Sequence, residues 1–236
     1  RLVLGGLFTI AGTVRSDMIA AFDPATGLWS AFGSGMNGRV SAVTALPNGD
    51  LVAGGDFLVA GGAFCPCIAR WNGTTWAPLG TGMDAEVTAL ITMPNGDVIA
   101  GGRFSFAGGT AARGIARWDG TSWSALGAGP VTTATTSGIT AMTLLPNGDL
   151  VVAGFGTVPS LGSLAGFVQR WNGTSWTLLG TIIGTAVDAL TTLPNGDVVA
   201  GGAFAVLGGA LAANVARWNG TAWAPVGTGL DHGVYT

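Results

Sequence analysis

The sequence predicts an all-β protein, a five-bladed β-propeller with four antiparallel strands per blade, closed by pairing of the N- and C-terminal strands. Three observations carry this prediction: a repeat of 47 to 52 residues, four short apolar runs in each repeat, and Asn-Gly pairs between those runs. The composition is that of a folded chain, since 48% of the 236 residues are hydrophobic. Disorder is therefore excluded, and collagen is excluded because the 42 glycines lack a period of three.

Two sequence markers define the repeat. The first is Pro-Asn-Gly-Asp, which begins at Pro47, Pro94, Pro146 and Pro194. The second is a pair of tryptophans five residues apart with a turn between them, at Trp71 and Trp76, Trp118 and Trp123, Trp171 and Trp176, and Trp218 and Trp223. Phe22 and Trp29 are the equivalents in the first repeat. Because large rings recur at fixed positions, we expect them to pack between blades.

The second repeat shows the elements in order. Its apolar runs cover residues 40–46, 51–55, 68–71 and 75–79, each of strand length. Asn48-Gly49 joins the first two runs and Asn72-Gly73 joins the last two, so each pair of runs is predicted to form a hairpin with a type I′ turn.

The predicted blades together form a single domain over residues 1–236. Their bounds are 1–33 plus 234–236 for blade 1, 40–80 for blade 2, 87–127 for blade 3, 139–180 for blade 4 and 187–227 for blade 5. The chain begins on a second strand and ends at the start of a first strand, so residues 234–236 are expected to complete the blade that residues 2–4 open. A larger ring of which these blades are a part is the alternative.

A recurrent acid and base predict one buried ion pair in each of four blades. The aspartate of each Pro-Asn-Gly-Asp turn is followed by an arginine 20 or 21 residues later, in the pairs Asp50 and Arg70, Asp97 and Arg117, Asp149 and Arg170, and Asp197 and Arg217. An arginine on a strand covered on both sides needs a partner, which favours this interpretation over a ring of calcium ligands. In the first blade Arg1 and Ala21 replace both members of the pair.

The stretch from Phe22 to Trp29, Phe-Asp-Pro-Ala-Thr-Gly-Leu-Trp, resembles the kelch repeat. The recurring Gly-Gly-x-Phe and Trp-Asn-Gly-Thr units also resemble Gly-rich propeller repeats of bacterial surface proteins and of Rax-type ectodomains. The resemblance covers the whole chain and implies a propeller fold. It implies no single function, because kelch-type propellers include oxidases, sugar binders and protein-interaction modules.

The chain lacks the residues that the best-known chemistries require. Copper oxidases with kelch-like blades need several tyrosines and histidines, whereas this chain has only Tyr235 and His232. It has no cluster of histidines for zinc and no Gly-x-Ser-x-Gly motif. We therefore predict that the protein is not an enzyme and has no cofactor or metal.

Charge and hydropathy exclude two partner classes. Lysine is absent and the net charge is −3, so the chain has no basic surface for nucleic acid. The uncharged stretch 150–168 contains Pro159 and several glycines, which favours strands and a loop over a membrane span.

Function is expected where the repeats differ from one another, on loops held by a rigid frame. The departures are an insertion at 128–137, a longer connection after Phe155, and the Cys65-Pro66-Cys67 triplet. The two thiols are free, form a local disulfide, or ligate a metal together with other residues. All three lie on second-to-third or blade-to-blade connections, which share one face. The candidate binding residues are Phe57, Phe104, Phe204, Arg103, Arg113, Asp84, Glu86, Thr132, Thr133, Phe155 and His232, with the three phenylalanines of Gly-Gly-x-Phe expected to be partly exposed.

These features predict a non-catalytic binding module of a secreted or surface-exposed protein, with a protein or glycan ligand on that face. The protein is expected to be a monomeric ring or part of a larger chain. A lectin with repeated weak sites and a self-associating surface component are the alternatives. Asn72, Asn172 and Asn219 begin Asn-Gly-Thr sequons, but a role in the turn accounts for all three, and Asp119 fills the same position in the third blade.

Overall fold

The computed structural model describes residues 1–130, 138–158 and 163–235 and contains only strands, bridges, turns and irregular backbone in them. The chain divides into two compact units. One holds Arg1–Ala112 with Ala116–Ser124, and the other holds Arg113–Ile115 with Ala125–Thr236. Within the described residues, no helix is long and apolar enough to cross a membrane.

The first half of the chain contains seventeen short strands. They are β1 (Leu2–Gly5), β2 (Ile10–Ala11), β3 (Val14–Arg15), β4 (Ile19–Asp23), β5 (Leu28–Ala31), β6 (Val40–Ala45), β7 (Leu51–Gly55), β8 (Val59–Ala60), β9 (Ala63–Phe64), β10 (Ile68–Trp71), β11 (Trp76–Pro78), β12 (Val87–Thr92), β13 (Val98–Gly102), β14 (Phe106–Ala107), β15 (Thr110–Ala111), β16 (Ile115–Trp118) and β17 (Trp123–Ala125). They form a three-stranded sheet, β1-β4-β5, two four-stranded sheets, β6-β7-β10-β11 and β12-β13-β16-β17, and the short hairpins β2-β3, β8-β9 and β14-β15.

The second unit contains longer strands that join into one sheet. They are β18 (Gly138–Leu144), β19 (Leu150–Val158), β20 (Ser163–Trp171), β21 (Trp176–Thr192), β22 (Val198–Leu207), β23 (Ala210–Leu211), β24 (Val215–Trp218) and β25 (Trp223–Pro225). The 17-residue β21 pairs with β20 at its start and with β22 at its end, so two predicted blades become one continuous eight-stranded sheet. Register shifts at Gly184 and near Val187 provide the bends that such a long strand needs.

The first sheet has three strands within the described residues, and β1 has an open edge. Residues at the C-terminus were expected to supply its fourth strand. In the second unit the amide of Val234 donates to the carbonyl of Gly202 (3.1 Å). Val40 makes the equivalent bond to Gly6 (3.3 Å) where the next first strand begins, so Val234 occupies the position of a first-strand residue.

The Asn-Gly turns are hairpins, as predicted, but the predicted turn type is wrong. Only the glycine takes a positive φ, +89° at Gly49, whereas Asn48 does not. Leu46 accepts from the amide of Gly49 (2.9 Å) and its own amide donates to the carbonyl of Asp50 (2.8 Å). This is a type I turn followed by a left-handed glycine, for which proline at the first turn position is suited.

All four predicted Asp–Arg pairs are present. The guanidinium Nε donates to the carboxylate at 2.6–2.7 Å in each, and an adjacent asparagine amide also donates to it at 2.6–3.0 Å. The aspartate side chains are only 9–12% exposed, but the arginines are 40–49% exposed. The pair is therefore half-buried, because the arginine covers its carboxylate while its own outer surface reaches solvent.

The second tryptophan of each pair connects its repeat to the preceding one. Its indole N–H donates to a carbonyl 44 or 50 residues earlier at 2.9–3.1 Å, in the pairs Trp76 and Phe32, Trp123 and Leu79, Trp176 and Leu126, and Trp223 and Leu179. The two rings within each tryptophan pair are tilted, with centroids 5.1–5.6 Å apart. The predicted packing of these rings between repeats is confirmed within each unit.

The third-to-fourth turns are also internally hydrogen-bonded, and in one of them the hydrogen bonds lower the pKa of a carboxyl group. Asp119 Oδ1 accepts from the amides of Thr121 and Ser122 (both 2.8 Å), which holds the pKa of this carboxyl below its usual value. The hydrogen bond from Arg70 lowers the pKa of Asp50 in the same way. A carboxyl whose pKa is lower in the folded state stabilises the fold above its unfolded pKa of about 4, and this contribution is lost as the pH falls through its folded pKa.

We therefore expect the melting temperature to be steady from pH 7 to 5 and to fall below about pH 4. Asp119→Asn should flatten this acid dependence, because it removes one of the carboxyls responsible. Differential scanning fluorimetry across pH 7 to 2.5 measures this dependence. The matched control is Asp231→Asn, which removes an exposed carboxyl that pairs with His232. Identical acid profiles for Asp119→Asn and the unsubstituted chain would contradict the expectation.

Candidate binding surface

The second-to-third connections are β-hairpins rather than the loops expected from sequence. We call them the hairpin arms: residues 7–17, 56–66, 103–112, the described part of 155–166, and 203–213. Three arms turn on a Gly-Gly pair with both residues at positive φ, for example +58° at Gly61 and +85° at Gly62, as a type I′ turn requires. Type I′ turns, which were predicted at the Asn-Gly pairs, are therefore found at these Gly-Gly pairs instead.

The base of the arms is buried. Phe57, Phe104 and Phe204 are 1%, 0% and 3% exposed and belong to the hydrophobic cores of the two units. The expectation that these rings would be partly exposed is wrong, because the arm folds back as a hairpin and places the Phe ring in the core of its unit. A ring with no accessible surface offers nothing to a ligand.

In the arms of Phe57 and Phe104, a polar side chain from outside the arm holds the backbone of the arm in place. Asp84 Oδ1 accepts from the amides of Ser105 and Phe106 (both 2.9 Å), and Asn37 Oδ1 does the same for Leu58 and Val59 (2.9 and 2.8 Å). Asp84, a candidate ligand residue by sequence, is therefore engaged in holding an arm in place.

Apolar side chains are exposed along the arms. Seven of the fourteen large apolar side chains that are exposed among the described residues lie there: Leu7, Ile10, Leu58, Phe64 and Phe106 in the first unit, and Leu164 and Leu211 in the second. Phe64 is 69% exposed and lies opposite Val59, and Phe106 is 49% exposed and lies opposite Ala111. Half of the exposed large apolar side chains thus belong to the arms, and exposed apolar surface of this kind is a feature of interaction sites.

A shallow open cavity of about 400 Å³ lies beside the first arm. Its lining combines the apolar Ile10 with the hydroxyls of Thr9 and Thr13 and the guanidinium of Arg15. Arg15 is itself exposed and faces Asp17 at 3.6 Å.

Charged residues occupy the starts of the first strands in the first unit. Arg39 pairs with Glu86 across two successive sheets, and Ser41 Oγ donates to the same Glu86 oxygen (3.2 Å). Arg103 is exposed, and its amide donates to the Glu86 carbonyl (2.9 Å). These positions are small or apolar in the second unit, where Gly138 and Ala186 are equivalent to Arg39 and Glu86.

One set of polar residues was missed in the sequence analysis. Each of the four first strands that the structure describes has a register shift directly after a Val or Ile, and the extra residue is polar: Ser41, Thr88, Thr140 or Asp188. Thr140 Oγ1 donates to the carbonyl of Val187 (2.6 Å), and burial raises the pKa of Asp188. A polar residue that follows Val or Ile at the same place in every repeat was the available signal.

The remaining candidate residues are dispersed. Arg113 has a positive φ of +47° and donates to the carbonyl of Ala128 (3.3 Å) in the second unit. Phe155 is half-buried on β19 between Gly138 and Gly166. His232 is exposed and pairs with the equally exposed Asp231 (3.2 Å). Thr132 and Thr133 lie outside the described residues.

Cys65 and Cys67 are free thiols buried at the end of the second arm. Burial, with the carboxylates of Asp56, Glu86 and Asp84 nearby, raises the pKa of Cys67 to about 11, and burial raises the pKa of Cys65. Of the alternatives left open by the sequence, the structure has free thiols rather than a disulfide. No group of three or more His, Cys, Asp or Glu side chains able to hold a metal is found among the residues that the structure describes.

We expect both thiols to be unreactive in the folded protein, because a buried thiol with a raised pKa forms little thiolate at pH 8. Dithionitrobenzoate (DTNB) should label both cysteines rapidly in guanidinium chloride. It should label the native chain at least about tenfold more slowly. Equal rates in the two conditions would show that the arm opens freely.

The successive repeats of antiparallel strands, connected from one repeat to the next by a tryptophan, define the chain as a β-propeller protein. It belongs to the family described as the Rax2 C-terminal beta propeller domain, whose model matches residues 1–177. The Rax-type part of the sequence resemblance is thus confirmed, whereas the kelch likeness stays a prediction. No curated protein matches the sequence.

Solved structures of low sequence identity share the fold. The chain resembles a nidogen/laminin complex structure with a TM-score of 0.53 and 11% identity, over 85% of this chain and 69% of that one. It resembles YCF48 bound to D1 peptide with a TM-score of 0.50 and 16% identity, over 87% and 59%. The extracellular domain of a one-component system from B. thetaiotaomicron matches with a TM-score of 0.49 and 11% identity, and the match covers 78% of this chain and only 23% of that one. At these identities the likeness concerns the fold alone.

Proposed function

We propose that the chain is a non-catalytic binding module of a secreted or surface-exposed protein and that the hairpin arms form its contact surface. The observation that carries the proposal is the exposure of apolar side chains on the arms, above all Phe64 and Phe106. These side chains stand on hairpins that Asn37 and Asp84 hold in place, so a partner meets a preformed surface. The membership in the Rax2 propeller family supports a location outside the cell.

The opposite ends of the sheets are less suited to recognition. Their turns repeat with little variation, and their Asn and Asp oxygens are occupied by hydrogen bonds within the same turn, as at Asn72 and Asp119. A surface whose polar groups are already paired gains little from a new partner. The variation between repeats falls instead on the arms and on the starts of the first strands.

The finer architecture forms part of the same proposal. We propose five blades, with the chain's last residues supplying the first strand of the blade that β1 begins. The first-strand position of Val234 supports this, and so does the open edge of β1, a liability that closure would remove.

A paired substitution on the arms tests the contact surface. Phe64→Ser with Phe106→Ser removes two exposed rings and should abolish binding to the protein partner, while the melting temperature changes little because neither ring is in the core. Leu28→Ser is the matched control, since Leu28 is equally exposed but lies at a third-to-fourth turn. The measurement is capture of partners from a secretome, identified by mass spectrometry. We expect the unsubstituted chain and Leu28→Ser to capture the same partners and the double variant to lose them.

Other outcomes would redirect the proposal. Binding to a glycan array that the double variant loses would identify the partner as a carbohydrate and the protein as a lectin. Growth of the light-scattering mass with concentration would identify it as a self-associating surface component. Capture that is unchanged in the double variant would contradict the assignment of the arms as the contact surface.

A further inference from the structure

The structure separates the seven Asn-Gly turns of the repeats into two chemical types. In the Pro-Asn-Gly-Asp turns both ends of the asparagine side chain are used: Asn48 Oδ1 accepts from the amide of Asp50 (3.1 Å), and Asn48 Nδ2 donates to its carboxylate (3.0 Å). In the Trp-Asn-Gly-Thr turns all the bonds fall on one atom. Asn72 Oδ1 accepts from the amides of Thr74 and Thr75 and from both of their hydroxyls, at 2.9–3.4 Å.

The Nδ2 amide is therefore not needed by the second type of turn. Asn172 repeats the arrangement of Asn72, and Asn219 repeats it without the second hydroxyl, because residue 222 is alanine. None of the three has a hydrogen bond from Nδ2 within the described residues. All three asparagines and the threonines two residues later are exposed. A substituent on Nδ2 would thus leave the hydrogen bonds of the folded turn intact.

These three turns are also the sites of the chain's Asn-x-Thr sequons, at Asn72, Asn172 and Asn219. We propose that the three asparagines are acceptors for N-linked oligosaccharide when the chain passes through a secretory pathway that has an oligosaccharyltransferase. The proposal rests on the secreted location proposed above and not on the arms as a binding surface. From the sequence, a role in the turn was enough to account for these three asparagines. In the structure, however, the turn uses only the Oδ1 atom of each asparagine side chain.

The donor is an oligosaccharide linked to a lipid pyrophosphate. Nδ2 attacks the anomeric carbon of the first sugar and a carbon–nitrogen bond forms there. The bond from that carbon to the pyrophosphate oxygen breaks, and lipid pyrophosphate leaves. The amide nitrogen loses one proton to a base on the transferase, so the product is a neutral glycosylated amide.

The third repeat supplies an internal control. Asp119 occupies the same position, is followed by the same Gly and Thr, and accepts the same two amides (both 2.8 Å), but a carboxylate has no nitrogen to modify. The four Asn-Gly-Asp turns are a second control, because they lack the hydroxyl residue. Glycans at the sequons would lie at third-to-fourth turns, the opposite end of each sheet from the hairpin arms.

The experiment is expression of the whole chain behind a secretion signal in cultured eukaryotic cells, followed by peptide mapping with and without peptide N-glycosidase. We expect glycans at Asn72, Asn172 and Asn219, each converted to aspartate by the glycosidase, and none at Asn48, Asn95, Asn147 or Asn195. Asp119→Asn should gain a fourth glycan, and each Asn→Gln variant should lose one. Chain retained in the cells is mapped in the same way, so a variant that folds poorly still reports its occupancy.

Unmodified asparagine at the three sequons of the unsubstituted chain would overturn the proposal, and so would failure of Asp119→Asn to gain a glycan. Neither result concerns the contact surface. The binding of the arms is measured separately on chain made in bacteria, which carries no N-linked glycan, so either proposal can fail without the other.

Discussion

Replacing Trp123 with alanine is expected to lower the free energy of unfolding by about 3–5 kcal/mol. The ring is 6% exposed and lies in a core with Val98 and Phe104. It also packs so closely on the Gly108 turn that a Cβ built there would lie 2.8 Å from the ring. Alanine therefore leaves a large cavity between two rigid hairpins, which cannot close around it. Urea denaturation followed by circular dichroism measures the change.

Trp123→Phe separates the hydrogen bond from the packing. Phenylalanine keeps most of the apolar surface but has no N–H for the carbonyl of Leu79, now 3.0 Å from the indole nitrogen. A buried carbonyl left without a partner costs about 1–3 kcal/mol, so this variant should lie between alanine and the unsubstituted chain. Phe64→Ala, at an exposed ring, is the control and should stay within about 0.5 kcal/mol. A loss below about 1 kcal/mol for Trp123→Ala would show that the tryptophan does not connect the repeats.

Much of the fold could be predicted because the repeat reports interactions that are made once in every unit. Trp76 and Trp123 occupy the same position and bond to equivalent carbonyls, so their spacing carried three-dimensional information. The Asp–Arg pairs were predictable because both members recur at a fixed spacing, although the arginines are half-exposed and not covered as the sequence argument assumed. The merging of two sheets through β21 was not predictable, because it depends on how far a strand continues past its turn rather than on residue type.

The candidate surface was predicted less well than the fold. Phe57 and Phe64 are seven residues apart in one arm, yet one is buried and the other exposed, because the arm reverses at Gly61-Gly62. The sequence analysis took the connection as a loop, and a loop has no register from which to assign faces. The Glu86 carbonyl accepts from the amide of Arg103 at the start of an arm, but the pairing of the Glu86 side chain with Arg39 could not be predicted because it requires two neighbouring repeats to be aligned in space.

Removing the carboxylate of Asp97 tests whether the half-buried ion pairs stabilise the fold. Asp97 Oδ2 accepts from Arg117 Nε (2.6 Å) and from Asn95 Nδ2 (2.7 Å). Asp97→Ala leaves both donors without their acceptor and should cost about 1.5–3 kcal/mol, the usual value for charged hydrogen bonds. A fully buried pair would cost more, but the Arg117 side chain is 48% exposed and can turn to solvent.

A double-mutant cycle with Arg117→Met decides whether that loss belongs to the pair. If the carboxylate acts through the guanidinium, Asp97→Ala should cost clearly less when Arg117 is already methionine, with a coupling energy of about 1 kcal/mol or more. If it acts by closing the Pro-Asn-Gly-Asp turn through Asn95, the cost should be the same in both backgrounds. Asp97→Asn distinguishes the two further, because an amide oxygen still accepts in the turn but carries no charge for Arg117. An unchanged melting temperature for Asp97→Ala would contradict both roles and leave the recurrence of Asp and Arg in four repeats without a structural cause.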